Sequence, residues 1–537
     1  MANPAGSAAQ QVRVEGGAQG PAPSAPSGLA LLWRTEDWLS VWVGFLVILL
    51  VIGGVTVKLT RFKWTTDAEF AGYVAKVRDG NALERLAASA RDKQETALAA
   101  GLAGLQTAVA SATDRAAIGS AAKKVEDAAA KVKDPGLKAG AAKLAKDVRT
   151  QSGNQVGKIF SGENLLWAVA IGVAYLVITA LAFTLMGQKP GAVLAGFPLV
   201  FGLAWLAQLV AGNFTVQYFG IEYVLWCLFL GLFVSNVVGV PDWLKPAVRT
   251  EFYIKSGLVV LGAGILFGEI MRAGFYGIVQ AVLVVTVVWY FTFWVAKKLA
   301  VDDDFAAVLS SSVSICGVSA AIATGGAIKA DGKKISYATS IVLICAIPML
   351  ILQPMIARWA GMSDLVAGAW LGGTLDTSGS VVAAGALISE TAMKTGVIVK
   401  MSQNVLIGLA AFLLSVIWTV RTFKATGTGE RPSAMEIWHR FPKFVLGFVI
   451  ASLLFSFWIA PGTVDSTKGT LAGLRTWWFA LAFTCIGLET RFSELAKMSG
   501  GRPAMAFLIG QGFNIVWTLV LAWLIFGGVL FAAPAIK

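Results

Sequence analysis

The sequence predicts an all-α polytopic membrane protein with about thirteen transmembrane helices, inverted repeats and one soluble helical insert. Two observations establish the class. Hydrophobic residues make up 56% of the 537 and charged residues only 14%, with a mean hydropathy of +0.71. The apolar residues also come in runs of roughly 18 to 25, which is what a helix needs to cross about 30 Å of hydrocarbon. A third observation sets the insert apart. Residues 62–160 abandon these runs for an Ala-rich pattern in which Lys and Arg alternate with Asp and Glu.

Residues 1–32 are rich in Ala, Gly, Pro and Ser and read as a disordered tail. The range 33–60 holds the first transmembrane helix, Trp38 to Val57, with Trp33 and Trp38 at the interface. Residues 61–160 carry Leu, Val and Ile at helical intervals, with breaks at Asp79-Gly80 and Asp134-Pro135-Gly136. They read as a soluble Ala/Lys-rich helical hairpin or bundle. The expected role is a spacer or oligomerisation element, and the alternative is a region that captures a partner or solute. Residues 161–537 read as the membrane domain. Its spans fall at roughly 164–186, 191–209, 222–240, 254–270, 276–298, 305–328, 337–357, 366–388, 399–420, 441–460, 474–490 and 503–531. The loops holding Lys245, Arg249, Arg431 and Arg440 belong to the more basic side, which places the N-terminus in the cytoplasm and the insert in the periplasm. Lys58, Arg61 and Lys63, taken alone, would argue the reverse.

Several function classes drop out. The net charge of +13 sits in short loops and in the insert, where topology and solvated helices account for it better than nucleic acid does. Cys227, Cys316, Cys345 and Cys485 all lie in apolar runs without CxxC spacing, so neither a disulfide framework nor a zinc site is expected. His439 is the single histidine and sits in a basic loop, which removes a Ser-His-Asp triad. No GxxxxGK[ST] loop occurs. An enzyme, a cofactor and a metal are therefore not expected.

Ser256–Gly274 and Ala480–Gly500 share a small-residue helix, a Gly near its end, an acidic residue and a Gly-terminated turn. The two lie an odd number of spans apart, so the second copy is inverted. Inverted repeats mark secondary transporters, whose solute site lies near the midplane between them.

Two hydroxyl-rich stretches carry the candidate chemistry. Ser310, Ser311, Ser312, Ser314, Ser319 and Thr324 surround Cys316-Gly317; Thr374, Asp376, Thr377, Ser378 and Ser380 surround Gly379. Glycine lets a membrane helix unwind, and freed N–H groups with hydroxyls can replace an anion's hydration shell at a half-helix N-terminus. Tight packing through small residues explains the glycines and alanines but needs fewer hydroxyls. A carboxylate inside an apolar span is costly, so Asp376 is the candidate proton carrier or sodium ligand; a shifted span would make it an interfacial cap instead. Gln403 and Asn404 could complete the site, as could Asn236, whereas Lys400 is expected to snorkel to the interface.

SICGVSAAIATGGAIKA (314–330), WLGGTLDTSGSVVAAGAL (370–387), IVKMSQNVL (398–406), PKFVLGF (442–448) and LAFTCIGLETRFSEL (481–495) resemble the YeiH-type sulfate-exporter family, with cover from about 191 to 531. The chain departs from the family pattern at Asp376-Thr377 and at Gln403. The resemblance implies kinship with the cation/proton antiporter and bile-acid symporter group. It implies core and panel domains, two crossing discontinuous helices at 254–270 and 474–490, elevator motion, a homodimer and a bacterial inner membrane. The expected function is secondary active transport of a small anion (sulfate, sulfite or an organosulfonate) driven by a proton or sodium gradient. Ser312, Ser314, Cys316, Gly317, Ser319, Thr377, Ser378, Gly379, Ser380, Gln403, Asn404 and Asn236 would bind it, with Asp376 as the coupling-ion residue. A cation/proton antiporter, or a membrane-anchored receptor or scaffold acting through the insert, is the alternative.

Overall fold

The computed structural model describes residues 30–111, 114–218, 221–426, 438, 441–491, 501–534 and 536. The expected tail up to residue 29, His439 and the end of the second repeat segment (492–500) lie outside the described residues.

The first long helix, α1 (Glu36–Ile52), starts with Glu36 and Asp37 against its positive end. Five helices of the insert follow: α2 (Asp67–Asp79), α3 (Asn81–Asp92), α4 (Thr96–Ser111), α5 (Arg115–Ala129) and α6 (Pro135–Gly153). Thr66 and Glu69 form a capping box at α2. Asp134 caps α6, with Pro135 in its first turn, which turns the DPG break into a helix start. Phe70, Leu83, Leu102, Ile118, Leu137 and Val148 belong to a buried core of these helices, separate from the large core of the rest. The Glu69 carboxylate accepts from Asn213 Nδ2 at 3.1 Å and from the Thr215 hydroxyl, tying the insert to the chain after the eighth helix.

Apart from short turns of five residues or fewer, the remaining helices among the described residues are α7 (Gly162–Leu185), α8 (Pro190–Ala211), α9 (Tyr223–Phe233), α10 (Thr250–Gly262), α11 (Phe267–Lys298), α12 (Asp303–Ser314), α13 (Gly317–Ala327), α14 (Gly332–Trp359), α15 (Asp364–Thr374), α16 (Ser378–Ile388), α17 (Glu390–Thr426), α18 (Lys443–Leu453), α19 (Pro461–Glu489) and α20 (Arg502–Phe526). Among the described residues seven helices are long and apolar enough to cross a membrane: α7, α8, α11, α14, α17, α19 and α20. About thirteen were expected. The remaining expected spans are short or split: α1 has 17 residues, α10 stops at Gly262, and α9 and α18 each run into a five-residue π turn, Val234–Val238 and Leu454–Trp458.

Two expected single spans, 305–328 and 366–388, are each broken into a pair of half-helices, α12/α13 and α15/α16. Each pair folds back on itself. Gly325 of α13 packs beside Val308 of α12, so the two halves run antiparallel. Gly368 of α15 lies on Ala392, and Gly385 of α16 on Met393, so both halves of the second pair lean on the start of α17. The expected crossing at 254–270 and 474–490 is corrected here. Residues 474–489 lie within the unbroken 29-residue α19, and α10 ends before 270.

The membrane helices sort into two packed groups, α1 with α7–α10, α18 and α19, and α11–α17 with α20. They meet mainly where α16 reaches α9, α10 and α19.

Candidate functional site

The chain breaks where local preference and packing agree. Cys316 is extended (φ −155°, ψ 109°), and Gly317 follows in a slot so narrow that a Cβ would stand 2.2 Å from Val342 Cγ1. In the second hairpin Thr377 is extended, and its hydroxyl accepts from Ser380 N at 3.1 Å as an N-cap. The two tips join: Gly317 N donates to the Asp376 carbonyl at 2.8 Å.

Together the two breaks expose two helix C-termini and two N-termini, whose backbone groups lack intrahelical partners. The C-terminal carbonyls are met by buried side chains. Val313 O accepts from Asn514 Nδ2 at 3.1 Å, Ile315 O from Lys400 Nζ at 2.7 Å, Gly373 O from Gln403 Nε2 at 3.1 Å and Thr374 O from Gln511 Nε2 at 2.9 Å. Leaving such carbonyls bare would cost roughly 1–3 kcal/mol each, so these side chains hold the break open. Lys400 is 2% exposed and does not snorkel. It also donates to Gln403 Oε1 at 3.1 Å and acts electrostatically on Asp376.

The N-termini of α13 and α16 are left to a cavity of about 300 Å³ lined by Cys316, Ser319, Thr377, Ser378 and Asn404. Its far wall comes from α1, α10 and α18 through Asp37, Glu251, Lys255 and Phe444. Two positive helix ends and hydroxyls on one wall suit an anionic group. Asn404 donates to Ser378 Oγ at 3.2 Å, and its Oδ1 has no hydrogen-bond partner among the described residues.

Asp376 lies at the tip junction with 2% exposure, and its Oδ2 lacks a partner among the described residues. A proton or small cation would satisfy it.

The other candidates are placed differently. Ser312 and Ser314 are buried and donate to Val308 O (2.8 Å) and Ser310 O (2.7 Å) of their own helix, so their hydroxyls serve α12 and not the cavity. Gly317 forms the tip contact. Gly379 packs on Ile254 and Ile486, Ser380 shares a 2.7 Å hydrogen bond with Thr377, and Gln403 caps Gly373. Asn236 stands apart, exposed at the end of α9 and donating to Leu232 O and Thr490 O. Sequence reasoning sends Lys400 to the interface and assigns no role to Gln511 or Asn514. The available signal was the isolated polar residue in an apolar run, but only the tertiary fold pairs each one with a particular carbonyl.

The family model described as conserved hypothetical protein 698 matches residues 195–507, which contain both hairpins and leave the insert outside. A UPF0324 membrane protein of Rhodopirellula baltica is 41% identical over 371 residues, 67% of this chain and 68% of that protein. One from Nitratidesulfovibrio vulgaris is 40% identical over 372 residues, 67% of this chain and 63% of the relative, so the chain spans less than two thirds of that relative's length. The UPF0324 inner membrane protein YeiH of Escherichia coli is 26% identical over 318 residues, 58% of this chain and 84% of that protein. No solved structure matches. The chain belongs to the conserved hypothetical protein 698 family of UPF0324 membrane proteins.

Proposed function

We propose that the chain is a secondary active transporter of a small anion, with the solute held in the cavity beside the joined tips of the two hairpins and a proton or sodium ion at Asp376. One observation carries the reading. Two helix N-termini, α13 and α16, open onto one cavity beside a buried carboxylate, while the opposing C-termini are already capped by Lys400, Asn514, Gln403 and Gln511. That leaves the positive ends of two helix dipoles toward the cavity, beyond the Gly317 and Ser380 amides already bonded at the tips. The anion class is sulfate, sulfite or an organosulfonate, in keeping with the hydroxyl-rich wall of Ser319, Thr377 and Ser378. The inverted repeat of Ser256–Gly274 and Ala480–Gly500 belongs to the same reading, supported by the matching π turns that end α9 and α18.

The test is uptake of labelled sulfate and sulfite by proteoliposomes under imposed proton and sodium gradients, with Asp376→Asn alongside wild type. Anion flux that follows one gradient, and that loses this dependence in Asp376→Asn while anion binding persists, supports the proposal. Cation flux without any anion would replace it with a cation/proton antiporter.

A further inference from the structure

The cavity has two walls of opposite polarity, and the opposite wall is not explained by an anion. Glu36, Asp37 and Glu251 all converge on Lys255, whose ammonium lies 2.8 Å from Asp37 Oδ1, 3.3 Å from Glu36 Oε1 and 3.5 Å from Glu251 Oε2. Three carboxylates thus meet one ammonium. Lys443 adds little from its side chain, because its ammonium donates to the carbonyls of Trp438 and Phe441 while its backbone N–H goes to Asp37 at 3.3 Å. Glu251 makes the longest of the three contacts and keeps 49% of its side-chain surface exposed, which leaves acceptor capacity free. It also acts electrostatically on Cys316, across the cavity at the tip of the first hairpin.

The second observation is independent of this cluster. Asn404 is 2% exposed, lines the same cavity, and has an Oδ1 without a hydrogen-bond partner among the described residues. A buried acceptor left bare is costly, so it calls for a donor on the occupant. A bare oxyanion has acceptors only. It would satisfy the helix N-termini and leave Asn404 Oδ1 and the acidic wall unanswered. Nor does a metal cation answer at this wall, where the Lys255 ammonium already occupies the point on which the three carboxylates converge.

We propose that the solute is a small zwitterion, with its anionic headgroup at the N-termini of α13 and α16 and its ammonium donating to Asn404 Oδ1 and Glu251. This rests on the transporter reading above and narrows it. The cavity of about 300 Å³ corresponds to about ten water-sized groups, at roughly 30 Å³ each, which admits an amino anion with a short carbon chain.

The experiment measures equilibrium binding to the purified full-length protein by calorimetry and thermal shift. It compares 2-aminoethanesulfonate with 2-hydroxyethanesulfonate, which has the same sulfonate headgroup and a neutral hydroxyl in place of the ammonium, and with sulfate. The expected result is that the amino compound binds about tenfold or more tightly than the hydroxy compound. In Glu251→Gln that ratio should fall toward one. Equal binding of the two sulfonates in wild type, or a preference for the hydroxy compound, would overturn the zwitterion and leave the anion site standing. Binding of none of the three would overturn the anion transporter as well. The comparison in wild type needs no variant, so a poorly folding Glu251→Gln does not decide it.

Discussion

The amide of Gly317 donates to the carbonyl of Asp376 at 2.8 Å, and this bond joins the tips of two hairpins whose sequences lie 59 positions apart. It fixes the distance between the two helix N-termini that face the cavity. The space around Gly317 explains why no larger residue serves, since a Cβ there would stand 2.2 Å from Val342 Cγ1 and 3.1 Å from Asp376 Cβ. Val342 is branched at its own Cβ and buried, so it has little freedom to retreat. Gly317→Ala should therefore cost about 1–3 kcal/mol, read as a lower thermal midpoint, and should weaken anion binding. Gly379→Ala meets its neighbours at 3.4–3.5 Å, ordinary contact, and should shift stability by no more than about 0.5 kcal/mol.

Lys400 holds the tip of the first hairpin. Its ammonium holds Ile315 O at 2.7 Å and Gln403 Oε1 at 3.1 Å. Lys400→Met keeps much of the volume and removes the buried charge, which saves desolvation but leaves a carbonyl bare at the end of α12. The account expects a modest stability change of about 1–3 kcal/mol together with a larger loss of transport, because the first tip is no longer held. Thermal unfolding and proteoliposome uptake on the same preparation separate the two effects. Normal uptake with normal stability would contradict the role given to Lys400.

The insert provides a pH test away from the membrane helices. Burial pushes the Glu69 carboxyl up, but hydrogen bonds from Thr215, the Thr66 backbone and side chain, and Asn213 outweigh it and hold the group at about 2 against its ordinary 4.5. A folded-state value below the unfolded one means that the stabilising contribution is complete above about pH 4.5 and is lost as pH falls toward 2. Hydrogen exchange over α2 and residues 213–215 should accelerate between those limits in wild type. Glu69→Gln should show faster exchange at neutral pH and a flatter response to acid.

Much of this architecture was legible in advance where one physical effect dominates. Runs of apolar residues gave the helical class, and Asp134-Pro135 gave a helix boundary because capping and fixed φ act locally. Asp79-Gly80 likewise separates α2 from α3. The hydroxyl-rich stretches around Cys316 and Asp376 were also visible as anomalies in lipid-length segments. Their reading as continuous spans failed because hydropathy records composition along the chain and not whether the chain reverses. The fold-back at Ile315–Cys316 depends on Asn514 and Lys400, contributed by helices far away in sequence, to satisfy Val313 O and Ile315 O. Ser312 and Ser314 misled for a related reason, since a serine in an apolar helix can bond its own backbone as readily as a solute. Glu251 and Asp37 drew no notice because each sits in the first turn of a helix, where an acid is ordinary, and Lys255 counted only toward loop charge; only the fold brings them to the cavity.

The most direct test of the central claim is equilibrium binding of labelled sulfate and sulfonates to purified wild type and to Ser319→Trp. Ser319 lines the cavity and is exposed, so a bulky side chain there fills the space without displacing the core. The account predicts saturable anion binding to wild type and none to a Ser319→Trp protein with an unchanged thermal midpoint. No binding to wild type, or equal binding to both proteins, would contradict it.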